Sequence, residues 1–405
     1  MTSTLLPGDH DEGRSGPVVD LDHAATTRVR PEVLEAMAPF LDDRYGNPSG
    51  AHRLARDAVR AVDEARERLA VAVGCAPGEV VFTSGGTEAD NHAVTGGMPP
   101  RPGVPVCAAA EHHAVLDPVQ ALGGHVVQVD QRGRVDLAHL ADLLDRMPPP
   151  GSDGGVAVVS VMLANNETGV LNDLAAVAAV LHEHEPEVPR VPLHTDAVQA
   201  AAWLDLTSAA ATADLVSLSA HKLGGPKGVG ALVVRHLATI EPLVRGGGQE
   251  RGRRSGTLNV AGIVGFATAM DLTVAERAAT GERVRALRNR LADGLRTSID
   301  GVVETAAPDA DRDGLLPNIC HLCIPGVDAE TLLFLLESDG VLASAASSCS
   351  SGAQEPSHVL AAMGVDASLA AGSLRLSLGW DSTDADVDRA LVAVPAAVER
   401  VRSFG

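Results

Sequence analysis

The sequence predicts an α/β protein: a mainly parallel sheet in a large domain, followed by a smaller α+β domain. Two observations carry this. Apolar runs of strand length recur at Val80–Phe82, Val104–Ala109, His125–Val129, Val156–Leu163, Val191–Asp196, Leu215–Ser219 and Ala231–Val234. Helical periodicity fills most of the intervals, as at Leu54–Val73, Glu88–Val94, Leu137–Met147 and Leu171–His184. Strands alternating with helices imply a parallel sheet covered on both faces. The second observation is a change of pattern after about Gly256. A long helical stretch, Ile263–Ile299, precedes short strands at Asn318–Ile324 and Ser373–Leu378 and helices at Ala329–Leu336 and Asp384–Val401.

The expected division is a disordered leader over 1–16, a large domain over 17–256 and a small domain over 257–405, with part of the N-terminal segment packing on the latter. Pro and Gly mark Met147–Gly155 and His184–Pro192 as surface loops. Aromatic residues make up only 2%, so the core must be built from Ala, Val and Leu. A net charge of −21 disfavours nucleic acid and anionic membranes as partners. No apolar run approaches the ~20 residues of a membrane span, and the first residues lack the basic and apolar regions of a secretory signal. Five scattered cysteines argue against a disulfide framework and for a reducing, cytoplasmic setting.

In parallel sheets, ligands bind beyond the carboxyl ends of the strands, and several of these ends carry polar residues. After Val80–Phe82 comes Ser84-Gly85-Gly86-Thr87 and a helix start, which suits a phosphate as well as an ordinary turn. Other ends carry Glu111-His112-His113, Asn165-Asn166-Glu167, and His194, Asp196 and Gln199. An Asp in so apolar a segment needs a partner, preferably a cation. "SLSAHKLGGPKG" ends the next run with Ser219, His221 and Lys222, followed by glycines and a proline that oppose a helix. A lysine at a core edge is costly unless its charge is paired or removed, for instance by becoming a Schiff base. An anion cradle, a His, an Asn, a buried Asp and a strand-end Lys together fit pyridoxal phosphate. The string GGPKG lacks the spacing of a nucleotide-binding P-loop.

At this point the chain resembles the cysteine desulfurases, of the pyridoxal-phosphate fold type I, class V aminotransferase-like group. The strings are LDHAATT (Leu21–Thr27), YGNPSGAH (Tyr45–His52), FTSGGTEADN (Phe82–Asn91), AEHHAVLD (Ala110–Asp117), ANNETGV (Ala164–Val170), HTDAVQ (His194–Gln199), SAHKLGGPKGVG (Ser219–Gly230), GGGQERGRRSGT (Gly246–Thr257) and LRLSLG (Leu374–Gly379). They stand in family order over roughly 18–390. The resemblance implies that Lys222 holds the cofactor covalently, Asp196 pairs its ring nitrogen, His112 stacks on the ring and Gln199 bonds its phenolic oxygen. It implies a phosphate held by Gly86, Thr87, Ser219 and His221, with Thr257 reaching the neighbouring subunit's phosphate in a homodimer. Asn166 and Arg375 take the places that bind cofactor and substrate carboxylate. His23 and His113 stand where other residues are commoner.

Of the five cysteines, Cys75 follows a helix, Cys107 lies in an apolar strand, and Cys320 and Cys323 point to opposite faces of a strand and cannot easily chelate one metal. Cys349 lies in a serine-rich, small-residue stretch without an apolar anchor, which reads as a mobile loop. The resemblance places the persulfide-forming cysteine there, before QEPSHVL (Gln354–Leu360), with serine pairs on both sides where Ala and Thr-Ser are commoner. It implies conversion of L-cysteine to alanine, with the sulfur passed from Cys349 to an acceptor such as an iron–sulfur scaffold, a tRNA-modifying enzyme or a sulfur carrier. A selenocysteine lyase on the same scaffold and a non-catalytic cofactor-bearing partner are the rival readings.

Overall fold

The computed structural model describes residues 18–96, 103–150, 152–184, 191–235, 238, 240–345 and 357–404. Strand β1 (Val19–Asp20) precedes the main sheet. That sheet is formed by β2 (Val80–Thr83), β3 (Val104–Ala108), β4 (His125–Val127), β5 (Val156–Ser160), β6 (Leu193–Asp196), β7 (Leu215–Ser219) and β8 (Gly230–Val234). Their order is β2-β8-β7-β6-β5-β3-β4. Strand β8 runs antiparallel to both β7 and β2, and all other pairs are parallel. The carboxyl ends of β2, β3, β5, β6 and β7 therefore share one edge. Every residue of β5, β6 and β7 is buried, as expected of strands covered on both faces.

The helix Arg53–Val73 covers one face. Its buried Ala55, Ala58, Ala61, Val62, Ala65, Leu69 and Ala72 recur at helical spacing. Gly74, at φ 72°, ends it in a left-handed conformation that suits glycine. Three local differences from the sequence reading have simple causes. The helix expected from Leu171 begins at Leu174, because the Asp173 carboxylate accepts the N–H groups of Ala175 and Ala176. Pro31 opens a further helix, Pro31–Leu41, with φ pre-set for a first turn. The chain after β7 makes one 3₁₀ turn, Ala220–Lys222, before the glycines stop it.

The second unit contains β9 (Val303–Glu304), β10 (Ile319–Cys323), β11 (Val341–Leu342) and β12 (Ser373–Ser377). Strands β12, β10 and β9 form an antiparallel sheet, and β11 pairs with β1. Val19 and Leu21 thereby join a second hydrophobic cluster with Leu322, Leu374 and Val394. One 39-residue helix, Val260–Ser298, links the two cores. Its residues up to Met270 pack in the large core, and Val284 to Leu295 pack in the second. Among the described residues no helix is long and apolar enough to cross a membrane.

Candidate active site

The shared strand edge collects the polar residues singled out above. Asp196 ends β6, where it is only 7% exposed, and its Oδ1 accepts the Val198 N–H at 2.8 Å. Burial raises its pKa, while His112 and Lys222 pull it back. His112 caps the helix His113–Ala121, with Nδ1 accepting from the Ala114 N–H at 3.1 Å. That bond fixes a neutral ring with its proton on Nε2. Burial lowers the His112 pKa, and nearby Lys222 adds to the effect against the pull of Asp196.

Lys222 lies on the 3₁₀ turn after β7. Its Nζ donates to the carbonyls of Ala24 and Ala25. Gln199 Nε2 donates to the same Ala24 carbonyl at 2.7 Å. The turn is held by Thr27, whose N–H and hydroxyl both donate to the His221 carbonyl, at 3.0 and 2.8 Å. His221 Nδ1 meets the Thr26 hydroxyl at 3.2 Å. Burial, helped by Lys222 and Lys227, lowers the His221 pKa to about 4, so this ring is neutral at pH 7.

Beside this turn is a cleft of about 550 Å³ lined by Thr26, Gly86, Thr87, Ser219, His221 and Lys227, among others. The helix Gly86–Gly96 opens into it. A side chain at Gly86 would come within 2.8 Å of Val198, while Gly85 faces open space, so the backbone is bare where an anion would approach the helix N–H groups. Glu88 and Arg254 brace the rim, with Arg254 Nε donating to Glu88 at 2.8 Å and Nη2 to the Ser84 hydroxyl at 2.8 Å.

Arg375, on β12, is 4% exposed. Its Nη1 donates to the Asn166 carbonyl at 3.0 Å and its Nη2 to Asp22 Oδ1 at 2.8 Å, leaving Nε without a partner. This is a buried guanidinium bridging both units, not a surface ion pair. Thr257 is exposed and does not line the cleft of its own chain. Cys349 lies outside the described residues, but both neighbouring anchors are at the site. Ser344 pairs with Arg375 through reciprocal backbone bonds, and the Ser357 hydroxyl donates to Glu167 at 2.5 Å.

The sequence reading gave no role to Asp22, to the Ala24 and Ala25 carbonyls, or to Glu111. Glu111 is fully buried, accepts the Met162 N–H at 2.5 Å, and is pushed up to about 8 by burial and by Asp196. Its place in EHH between two strands was the available signal. The remaining cysteines are buried or half-buried. Burial raises Cys75 to about 11 and Cys320 to about 12, and also raises Cys107 and Cys323.

The family model of class V aminotransferases matches residues 19–390. The chain belongs to that family. An IscS-like cysteine desulfurase of Mycobacterium tuberculosis is 44% identical over 395 residues, covering 94% of this chain and 96% of the relative. A cysteine desulfurase IscS of Dictyoglomus turgidum is 37% identical, covering 95% and 96%. Among solved structures, a NifS-like protein superposes with a TM-score of 0.84 at 35% identity, over 95% of this chain and all of that one. A structure of SspA in complex with cysteine gives a TM-score of 0.72 at 28% identity, over 90% and 99%. Within the family the chain falls among the pyridoxal 5'-phosphate-dependent cysteine desulfurases, in keeping with its motif series.

The residues present fit that cofactor. A buried carboxylate with raised pKa calls for a cation, a lysine amine lies near enough to perturb it, and bare glycine backbone opens a helix N-terminus toward the cleft. Borohydride reduction of the holoprotein followed by peptide mapping is expected to mark Lys222. A mark on Lys227, which lines the cleft as Lys222 does not, would move the covalent role there.

Proposed function

We infer that the protein takes the sulfur from L-cysteine, releases alanine and holds the sulfur on Cys349 for an acceptor. The observation that carries this reading is the grouping of Lys222, Asp196 and His112 at one strand edge, with both anchors of the Cys349 segment beside them. Pyridoxal phosphate, when bound, supplies an electron sink for charge developing at the substrate Cα.

The chain's own residues then divide the work. Lys222 would hold the cofactor and would move the substrate's Cα proton. Asp196 stays ionised to pair the ring nitrogen, and Gln199 orients the ring's phenolic oxygen. His112, neutral and carrying its proton on Nε2, would stack on the ring and has that proton to donate. Gly86, Thr87, Ser219 and His221 hold the phosphate, and Asn166 contacts cofactor and substrate. Arg375 binds the substrate carboxylate, which must displace Asp22 or use the unpartnered Nε.

The Cys349 thiolate attacks the substrate sulfur. An S–S bond forms, the C–S bond breaks, and its electron pair goes to Cβ, which takes up a proton as alanine. Cys349 follows Ser344 by five positions, so its reach from that anchor is at most roughly 17 Å. Burial holds the four described cysteines as thiols, and a thiolate is the nucleophile. The exposed Thr257 completes the phosphate site of a second copy, making the working unit a homodimer. The acceptor is a protein or small sulfur carrier in the cytoplasm.

Cys349→Ser keeps the side-chain volume and removes the ionisable thiol. It is expected to bind cofactor and cysteine normally, and to lose alanine release and the extra sulfur together. In the wild type, mass spectrometry after cysteine treatment should place one extra sulfur on Cys349. Alanine release by the variant at the wild-type rate contradicts the persulfide role and favours direct elimination. Sedimentation of the holoprotein at micromolar concentration should show a dimer, and a monomer with full cofactor occupancy contradicts the shared site.

A further inference from the structure

A second cavity, lined in part by Lys222, lies on the seam between the two hydrophobic cores. Lys222 and Gln199 form one wall, and the rest includes His23, Arg30, Arg277, Asn318 and Trp380. Trp203, also in its lining, packs against both cores. Arg277 sits on the long helix between Met270, in the large core, and Val284, in the second.

The polar atoms here are unusual. Buried side-chain nitrogens and oxygens are nearly always bonded, and each exception calls for an explanation, a bound water or ion among them. Among the described residues, five side chains of the residues lining this cavity carry unpartnered atoms: Arg30 Nε, Arg277 Nε and Nη2, Trp380 Nε1, His23 Nδ1 and Asn318 Oδ1. Arg30, His23 and Asn318 are 5%, 6% and 2% exposed. Four of the six atoms are obligate donors, and three of those belong to guanidinium groups.

Glu276 is the one carboxylate residue in the lining, and it is engaged by Arg30 Nη1 at 2.6 Å. Arg30 also lies 4.6 Å above the Trp380 ring. The nearest carboxylate to Arg277 is the exposed Asp205, at 4.0 Å. The lining therefore holds three cationic residues, Arg30, Arg277 and Lys222, against one carboxylate. The cavity volume is about 30 Å³, room for roughly two waters, or one halide-sized ion and a water. That is too small for the substrate, its product or the cofactor.

We propose that this seam cavity binds one monovalent anion of halide size, held by Arg30, Arg277 and the indole N–H of Trp380. A companion water satisfies Asn318 Oδ1. The ion ties the N-terminal segment, the long helix and the second unit together, in a cavity that Lys222 also lines. It is independent of the sulfur-transfer reading, since its readouts are electron density and thermal unfolding.

The test uses the holoprotein with bromide as the probe. Crystals grown or soaked in sodium bromide should show an anomalous peak within hydrogen-bond distance of Arg277 and Trp380 Nε1. The unfolding midpoint should rise with sodium chloride or bromide and stay level with sodium gluconate at equal ionic strength. Arg277→Gln should abolish this difference. Trp380→Phe, which keeps the ring and removes one donor, should weaken halide affinity severalfold and serves if Arg277→Gln does not fold. Density refining as water alone at saturating bromide overturns the proposal, as does an equal response to gluconate or an unchanged halide response in both variants.

Discussion

The structure depends most on one costly placement, a carboxylate buried at the carboxyl end of a central strand. Asp196 has both faces of the sheet packed around it. Glu111 and Asp90, also fully buried, lie within electrostatic reach. Burial raises all three acids, and the charge on Asp196 raises the other two further. Three ionised carboxylates could not share such a space. Asp196 differs from the other two in having the cationic pull of Lys222. Its folded pKa is raised, so the apo fold is favoured at low pH and loses stability as pH climbs past the unfolded value into the range where the group ionises. A cationic ring bound against Asp196, as proposed, would offset that loss and so draw the cofactor to this strand end.

The rest of the site follows from how the sheet delivers its edges. Strands β2, β3, β5, β6 and β7 present five ends on one side. The antiparallel β8 returns beside β7, with Gly230 passing so close to Gly85 that a side chain would collide with its backbone. The same glycine pair keeps the mouth of the helix Gly86–Gly96 bare. The N-terminal segment crosses back over this edge. Its Ala24 and Ala25 carbonyls meet Lys222, its Thr26 and Thr27 meet the His221 turn, and its Asp22 meets Arg375 from the second unit. A single stretch, LDHAATT, thus ties both units to Lys222.

Much of this was legible in the sequence, for local reasons. Runs of apolar residues bounded by glycine or a capping acid mark the strands and helices, and each strand end carries its polar residue within a few positions. The family resemblance then tied Asp196, Lys222 and His112 to roles that separate strand ends could not assign. Backbone carbonyls have no signature, so the clasp of Lys222 by Ala24 and Ala25 could not be read. The Asp22–Arg375 pair joins residues 353 apart, and one sequence shows no such pairing. The clustering of unpartnered atoms around Arg277 likewise exists only once the two cores are docked along the long helix. Thr257 shows the opposite case, since its motif points to a phosphate that its own chain's cleft does not bring to it.

The central claim is that a buried charge on Asp196 makes this edge a receptor for a cationic ring. Thermal unfolding of apo and cofactor-loaded wild type and Asp196→Asn at neutral pH tests it most directly. Removing a charge that the apo fold holds at a loss should leave the apo variant at least as stable as the apo wild type. The rise in midpoint on loading should be smaller in the variant than in the wild type. A less stable apo variant whose midpoint rises as much on loading as that of the wild type would contradict the claim.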